Sequence, residues 1–595
     1  MKKVGKSLAL IIAIILCLSM LAACGPTSSN AGGGGGTPSG AGMPSGIGAG
    51  NSPSGSGSGT TTGGGTTAGG NEDKKDEVRY DPFIPGRVLP TNSIYGDSLW
   101  PMTDGYTPPP AGAKLAEEIT VIADNAAPVN DSMFMPGSTP PTGHAQRMIY
   151  NSLYVPTGRA GEYDPELVTE KITDDYKTFI FKLREDAYFT NGENLTAHDV
   201  VFTCKKGWDS PGSTAYNLWN RFEEVEAIDD YTVKLVAKQV TVVMEHYFAN
   251  SVSGGSGIVS EKACTEDPVN GWKIGSGPFM WEEFISGISW TVVRNEDYWG
   301  PMAFTKKVHY LYIPEVATRG VMMLNGEAQY AINVSSEDMP MFENDPRFNL
   351  EDRVLNNVIS LAFNFTNPIC ADLNFRLACA TALVREEIAL GAYGNYAVPY
   401  PDGAWWSPFQ EFKNYDVPPI PEDKELSKKY LADSIYNGEV LEIACSSTGH
   451  FKGAELVAQQ LLEAGINCQA KYIDPVAMTE YTKWDNNQSD MVFGLQALTT
   501  SAVGVHGPLT PKTPQNIAHY DNPEVTDLLT RAAAETDRSK REVLYKELQM
   551  MIREEIPYFG TYIKRDAAVA VAGMGGVIWG NDNTHDFRYA YVVLD

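Results

Sequence analysis

Apolar and polar residues alternate over Thr178–Arg184: Phe179, Phe181 and Leu183 fall on one side, Thr178, Lys182 and Arg184 on the other. A period of two predicts a half-buried strand. Aromatic and β-branched character resumes over Tyr188–Thr190, and Asn191-Gly192 then supplies two residues tolerant of positive φ, a tight-turn signal. Thr196 stands three positions before Asp199, just ahead of Val200, Val201 and Phe202. A hydroxyl there accepts from free amides of a first helical turn, and a carboxylate in that turn sits at the positive end of the helix dipole. The stretch 176–205 therefore predicts strand, strand, turn and capped helix.

The same reading extends in both directions. Residues 118–126, EITVIADNA, predict a strand and a polar turn, and a helix is predicted over Ala145–Tyr154. Residues 225–236 predict two strands about an Asp229-Asp230 turn. From Leu361 a strand leads to a turn at Asn367-Pro368 and a helix with Leu373, Leu377, Ala380 and Leu383 at helical spacing. Val440–Cys445, Lys452–Ala464 and Ile466–Ile473 read as strand, helix and strand, with Gly465 ending the helix. Such a unit implies a parallel pair and a right-handed crossover. Amphipathic helices follow over Asn522–Ala534 and Ser539–Glu554, and the chain beyond Pro557 is strand-like and is expected to return to the first part of the fold.

Upstream of Glu118 the pattern is different. Residues 1–24 carry a basic start, an apolar run from Leu8 to Leu21 and then small residues, which read as an export signal rather than a membrane span. The sequence Leu21-Ala22-Ala23-Cys24 resembles the lipobox of bacterial lipoproteins, which implies lipid attachment at Cys24. Residues 25–78 are mostly Gly, Ser, Thr, Pro and Asn and predict a tether reaching roughly 40 Å root-mean-square, followed by an irregular extension to 117.

Apolar content of 43% supports a sizeable core, and the net charge of −28 argues against nucleic acid as a partner. None of the eight cysteines forms a C-x-x-C pair, so zinc or thioredoxin-type chemistry has no support. A bridge between Cys445 and Cys468 and buried free thiols both stay open. There is no G-x-S-x-G in the folded part, no H-E-x-x-H and no P-loop, and His506 and His519 lack a third ligand at metal-like spacing. Neither catalysis nor a cofactor nor a metal is expected.

Several blocks occur in one order: Pro165-Glu-Leu-Val, the 176–205 stretch, Gly275-Ser-Gly-Pro-Phe, Arg294-Asn-Glu-Asp-Tyr-Trp, Gly326-Glu327, and the segment from Leu361 to Ile388. This set resembles the family 5 solute-binding proteins, the peptide- and nickel-type extracytoplasmic receptors of ABC importers, with departures at His198 and Gln329. The resemblance implies an α/β fold: a two-lobed clamp of the periplasmic-binding-protein type II kind with an extra subdomain in the first lobe. Lobe I would span 118–360, lobe II 361–555, and 556–595 would return to lobe I. The implied function is capture of a solute outside the membrane, a peptide foremost, and delivery to ABC permease subunits. An oligosaccharide ligand, or a lipid-anchored receptor without transport, are the alternatives. The protein would act as a monomer tied to the cell membrane through lipidated Cys24.

The resemblance also places the ligand site. Trp405 and Trp406 lie in the loop where the second lobe approaches the cleft, and Asn364 matches an inter-lobe hydrogen-bonding position. In 489–504, Gly494 and Ala497 fix a register that puts Leu498 where peptide-binding members carry an aspartate for the α-ammonium, with Thr499 beside it. Leu498 offers no such anchor. The expected ligand is therefore a peptide held by backbone and aromatic contacts, or a non-peptide stacked on an indole.

Overall fold

The computed structural model describes residues 108–594 except 124–131, 136–139, 157–162, 250–254, 335–337, 401, 408–409, 486–487, 498–500 and 580–584. Every described residue belongs to one compact unit, 74–595. Cys24 and the tether lie outside the described residues, as do Leu498 and Thr499.

The first strand, β1 (Glu118–Ala123), buries Ile119, Val121 and Ile122. Helix α1 (Pro140–Ile149) stops short of the predicted 145–154. Beyond Ile149 the backbone has better partners than another helical turn. The Asn151 carbonyl accepts from Ile258 N at 3.0 Å, and Ser152 N donates to Glu166 Oε2 at 2.7 Å. Tyr154 instead begins a short strand, Tyr154–Pro156.

The alternating stretch forms β3 (Thr178–Leu183), which pairs with β2 (Val168–Ile172). Phe179, Phe181 and Leu183 are buried and Lys182 is exposed, as the period of two requires. The next extended segment is reduced to one bridge, Tyr188 to Asn194, and only Gly192 takes a positive φ, +84°. Helix α2 (Ala197–Trp208) then starts on Thr196. Asp199 Oδ2 accepts from the Thr196 N–H at 2.8 Å and from its hydroxyl at 3.0 Å, while Oδ1 accepts from Glu261 N at 2.9 Å. One carboxylate thus closes the cap and ties α2 to the start of a short helix at Glu261–Glu266. After the short helix α3 (Thr214–Trp219), β4 (Phe222–Asp229) and β5 (Thr232–Ala237) complete a four-stranded sheet in the order β2-β3-β5-β4. This is the extra subdomain, and α4 (Met244–Ala249) leads out of it.

Two blocks of the family resemblance turn out to be one structural unit. A Cβ on Gly275 would lie 2.1 Å from the Ile149 carbonyl oxygen, and one on Gly277 would lie 2.5 Å from the Met148 carbonyl oxygen. Only glycine allows the chain this close to the end of α1. Asn295 Nδ2 donates to Gly277 O at 3.2 Å and Trp299 Nε1 to Ser276 O at 3.0 Å, so RNEDYW clasps GSGPF through side chain to backbone bonds. The departure at Gln329 is also accounted for: its Oε1 accepts from Thr120 N of β1 at 2.8 Å.

The main sheet gathers strands from both halves. Strands β8 (Lys307–Tyr312), β7 (Ser289–Arg294) and β6 (Phe279–Ile285) follow β1 on one side, and β9 (Tyr330–Ile332) pairs with it on the other. The long strand β10 (Phe348–Phe363) leads across to β11 (Leu441–Cys445), β12 (Cys468–Tyr472) and β13 (Met491–Ala497). The long return strand β14 (Tyr558–Val571) pairs with β10 from Phe348↔Val571 to Ala362↔Tyr558, with register shifts at Val354/Val358 and Ile359/Ser360. The order along the sheet is β12-β11-β13-β10-β14-β9-β1-β8-β7-β6, with the short strand Ala397–Pro399 also pairing with β14. Strands β10 and β14 therefore connect the two lobes, and the register breaks lie where they cross.

In lobe II, the helix α5 (Leu373–Ala382) buries Phe375, Ala378, Cys379 and Ala382, leaving Leu373 exposed. The predicted β-α-β unit is β11, α6 (Thr448–Glu463) and β12, with Leu441↔Cys468 parallel and Gly465 at φ +92°. Cys445 pairs with Tyr472, not with Cys468, so the two thiols stand four residues apart along the sheet, about 13 Å. That is too far for a disulfide, and both are free. Both faces of this sheet are covered: Val358 and Ala362 of β10 face one core cluster, Ile359, Leu361 and Phe363 the other. The short helix α7 (His506–Leu509) and the long helices α8 (Pro523–Ala534) and α9 (Arg538–Glu555) pack on the first face. The last residues lie against lobe I, where Thr305 Oγ1 donates to Ala590 O at 2.8 Å and Ala116 N to Val592 O at 2.9 Å.

Candidate ligand-binding cleft

A cavity of about 1210 Å³ opens between the extra subdomain of lobe I and the β11 and β13 strands of lobe II. On the lobe I side, α3 ends at Trp219 and delivers Arg221, and the segment after β5 delivers Lys238 and, through α4, His246 and Tyr247. On the lobe II side, the end of β11 brings Ser446 and Ser447 to the wall, and β13 brings Phe493 and Gly494. Helix α6 adds His450, and α7 adds His506. The carboxyl ends of parallel strands and the loops after them are where α/β sheets place ligands, and β11 obeys that rule.

The Arg221 guanidinium lies over the Tyr247 ring at 3.9 Å, and Lys238 Nζ donates to Asn220 Oδ1 at 2.7 Å. His506 Nε2 and the Tyr545 hydroxyl share a hydrogen bond of 2.9 Å, and His246 Nδ1 and the Tyr163 hydroxyl one of 2.8 Å. Burial first, and then the positive charges of Arg221 and of His506, push the His246 imidazole down to about 3. Burial and Arg221 push His506 down to about 4, and burial and Lys564 do the same to His450. All three are neutral at pH 7 and offer a polar N–H and a ring nitrogen rather than a cation.

Residues 162–503 match the family described as bacterial extracellular solute-binding proteins, family 5, which is more than half of the chain. The chain belongs to that family. A solute-binding protein of family 5 works outside the cytoplasm, and its two lobes hold the solute between them. The glutathione-binding protein GsiB of Escherichia coli K12 is 25% identical over 422 residues, covering 66% of this chain and 79% of that protein. The fold is that of the ABC transporter substrate-binding protein CtaP of Listeria monocytogenes, at a TM-score of 0.70 and 21% identity over 81% of this chain and 100% of that one. It is also that of the oligopeptide-binding protein AppA of Bacillus subtilis, solved with a nonapeptide, at 0.67 and 19% identity over 81% and 100%. Among the described residues no helix is long and apolar enough to cross a membrane, and no group of His, Cys, Asp and Glu could hold a metal ion.

Trp405, Trp406 and Asn364 are placed differently from the expectation, while Leu498 and Thr499 lie outside the described residues. Trp405 and Trp406 are buried, 1% and 2% exposed, in the lobe II core, and neither lines the cavity. Trp405 stacks on Tyr558 with ring centroids 4.7 Å apart, and Trp406 packs against Tyr545. Adjacent side chains in an extended loop point apart, but here core surrounds the loop on both sides. Asn364 is buried too: its Nδ2 donates to Ser489 O at 2.7 Å and its Oδ1 accepts from Thr366 N at 2.9 Å. Those bonds hold a turn within lobe II rather than join the lobes. Of the quoted segment 489–504, Val492, Phe493, Gly494, Val503 and Gly504 reach the cavity. Arg221, Lys238, Tyr247 and His506 were missed. Arg221 and Lys238 sit just beyond element ends and Tyr247 and His506 lie in short helices, and no local pattern separates such positions from ordinary surface residues.

Proposed function

We propose that this protein captures a peptide outside the cell membrane and hands it to ABC permease subunits, held at the membrane by a lipid on Cys24. The observation that carries the ligand class is the cavity: about 1210 Å³, walled by both lobes, and larger than the roughly 300–1,000 Å³ of a small-molecule pocket. A chain-like ligand of several units suits that volume. Its wall offers hydroxyl and amide groups at Ser446, Ser447, Thr510, Thr513 and Gln515, which can pair with peptide N–H and C=O groups. The names of relatives that bind glutathione, a nonapeptide and the peptide STSA support the same class. Burial of Trp405 and Trp406 removes the stacking wall on which an oligosaccharide reading rested.

Native mass spectrometry of the purified protein, followed by sequencing of the released ligand, tests the ligand class. A bound peptide at one copy per protein is expected; a non-peptide mass would overturn the reading. For the anchor, Cys24→Ala should release the folded protein from membranes or block its processing. Mature Cys24→Ala protein that still fractionates with membranes would refute lipidation.

A further inference from the structure

The chain carries 74 acidic residues against 46 basic ones, yet no described residue lining the cavity is Asp or Glu, while Arg221 and Lys238 both are basic. We propose that the ligand is an anion without a free ammonium group, such as an N-blocked acidic peptide, with its carboxylates met by Arg221 and Lys238 from lobe I and by His506 from lobe II. This rests on the reading of the cavity as the ligand site and specifies what enters it.

The cations are available. Arg221 stacks on Tyr247 and has no carboxylate partner among the described residues, and Lys238 is engaged by the neutral oxygen of Asn220. Two acids beside residues of this region are already committed elsewhere. Glu245, beside His246 on α4, is paired with Lys171, and Glu411, near Tyr545, pairs with Arg538 at 3.2 Å. Stacking on Tyr247 holds the guanidinium of this cavity-lining residue in place, and its fork of N–H groups can donate bidentately to a carboxylate. The imidazoles report the same field. After burial itself, Arg221 is the next cause holding both His246 and His506 below their ordinary range. An entering carboxylate neutralises that field, whereas an entering ammonium adds to it and finds no partner.

The test uses the full chain and a pooled set of tri- to hexapeptides in matched pairs, free or N-acetylated, with net charges from −3 to +2. Peptides retained through gel filtration are identified by mass spectrometry, and their affinities are measured by calorimetry. Retained peptides should be net negative, and acetylation should change Kd by less than about threefold. Arg221→Gln should weaken an acidic acetylated peptide about tenfold or more, and Lys238→Gln less, with no effect from Lys428→Gln on the outer face. Preferential retention of cationic peptides, or a hundredfold loss on acetylation, would overturn the proposal. If no peptide is retained, the peptide reading falls, and tetragalacturonate, a carboxylate chain of similar length, becomes the probe. Binding of it that depends on Arg221 supports the anion proposal by itself; no binding of it by the wild-type protein refutes that as well.

Discussion

Arg588 and Glu166, 422 positions apart, form an ion pair of 3.0 Å that ties the end of the chain to lobe I. Arg588 also reaches Asp586 at 2.7 Å, while Glu166 accepts from Asn151 Nδ2 and Ser152 N. The guanidinium thus meets two largely buried carboxylates. Truncating it strands both. Arg588→Met should lower stability by about 3–5 kcal/mol, the usual result of breaking a buried pair from one side. Denaturant unfolding followed by the lobe I tryptophans checks this; a loss below 1 kcal/mol would show the pair to be solvated.

Gly275→Ala places a methyl group 2.1 Å from the Ile149 carbonyl oxygen, which is backbone and cannot swing aside. The expected destabilisation is about 1–3 kcal/mol, from the strain of separating GSGPF from α1. Gly192→Ala should cost about 1 kcal/mol for the positive φ alone, since nothing lies within 4 Å of its added Cβ. Thermal unfolding of both variants tests the order; equal losses would contradict it.

Trp405→Ala should destabilise lobe II by about 3–5 kcal/mol through the lost stack on Tyr558 and the cavity left behind. Calorimetry with the co-purifying ligand should show Kd within about threefold of wild type. A large loss of affinity at unchanged stability would return the indole to the cleft.

Stability should fall with acid earlier than carboxylate titration alone would cause. His246, His450 and His506 have folded pKa values of about 3, 4 and 4, below the unfolded value near 6.5. Below pH 6.5 the unfolded chain binds more protons, so stability is complete above that pH and is lost as pH falls toward the folded values. Melting temperatures between pH 7.5 and 4.5 should decline from about pH 6.5, and His246→Gln should shallow the slope. A rise in melting temperature over that window would refute the assignment.

Ligand should close the lobes about the crossing strands β10 and β14. Closure follows only if ligand binds the closed form more tightly, since equal affinity for two states shifts nothing. Small-angle scattering of residues 74–595, the compact unit, should show a smaller radius of gyration at saturating ligand. An unchanged profile would mean that the cavity is filled without closure.

The elements were legible wherever their signal is local. Alternation at Phe179, Phe181 and Leu183 gave β3, the Thr196–Asp199 pair gave the start of α2, and Gly465 gave the end of α6. The ordered motifs gave the fold, because glycines such as Gly275 are required by a backbone approach that any sequence with this architecture must allow. The end of α1 was misjudged because its competitor, the Glu166 carboxylate, comes from another part of the chain.

What the sequence by itself determined is the run of strands, turns and capped helices, since those depend on side-chain period and on φ preferences within a few residues. Whether a residue faces core or cleft depends on what distant segments bring to it. Tyr558 and Tyr545 cover the two indoles, and the turn at Asn364 closes on Ser489. Arg221 and His506 face one cavity only because β10 and β14 bring the two lobes together, and burial and charge at a site are properties of that assembly, not of any one segment.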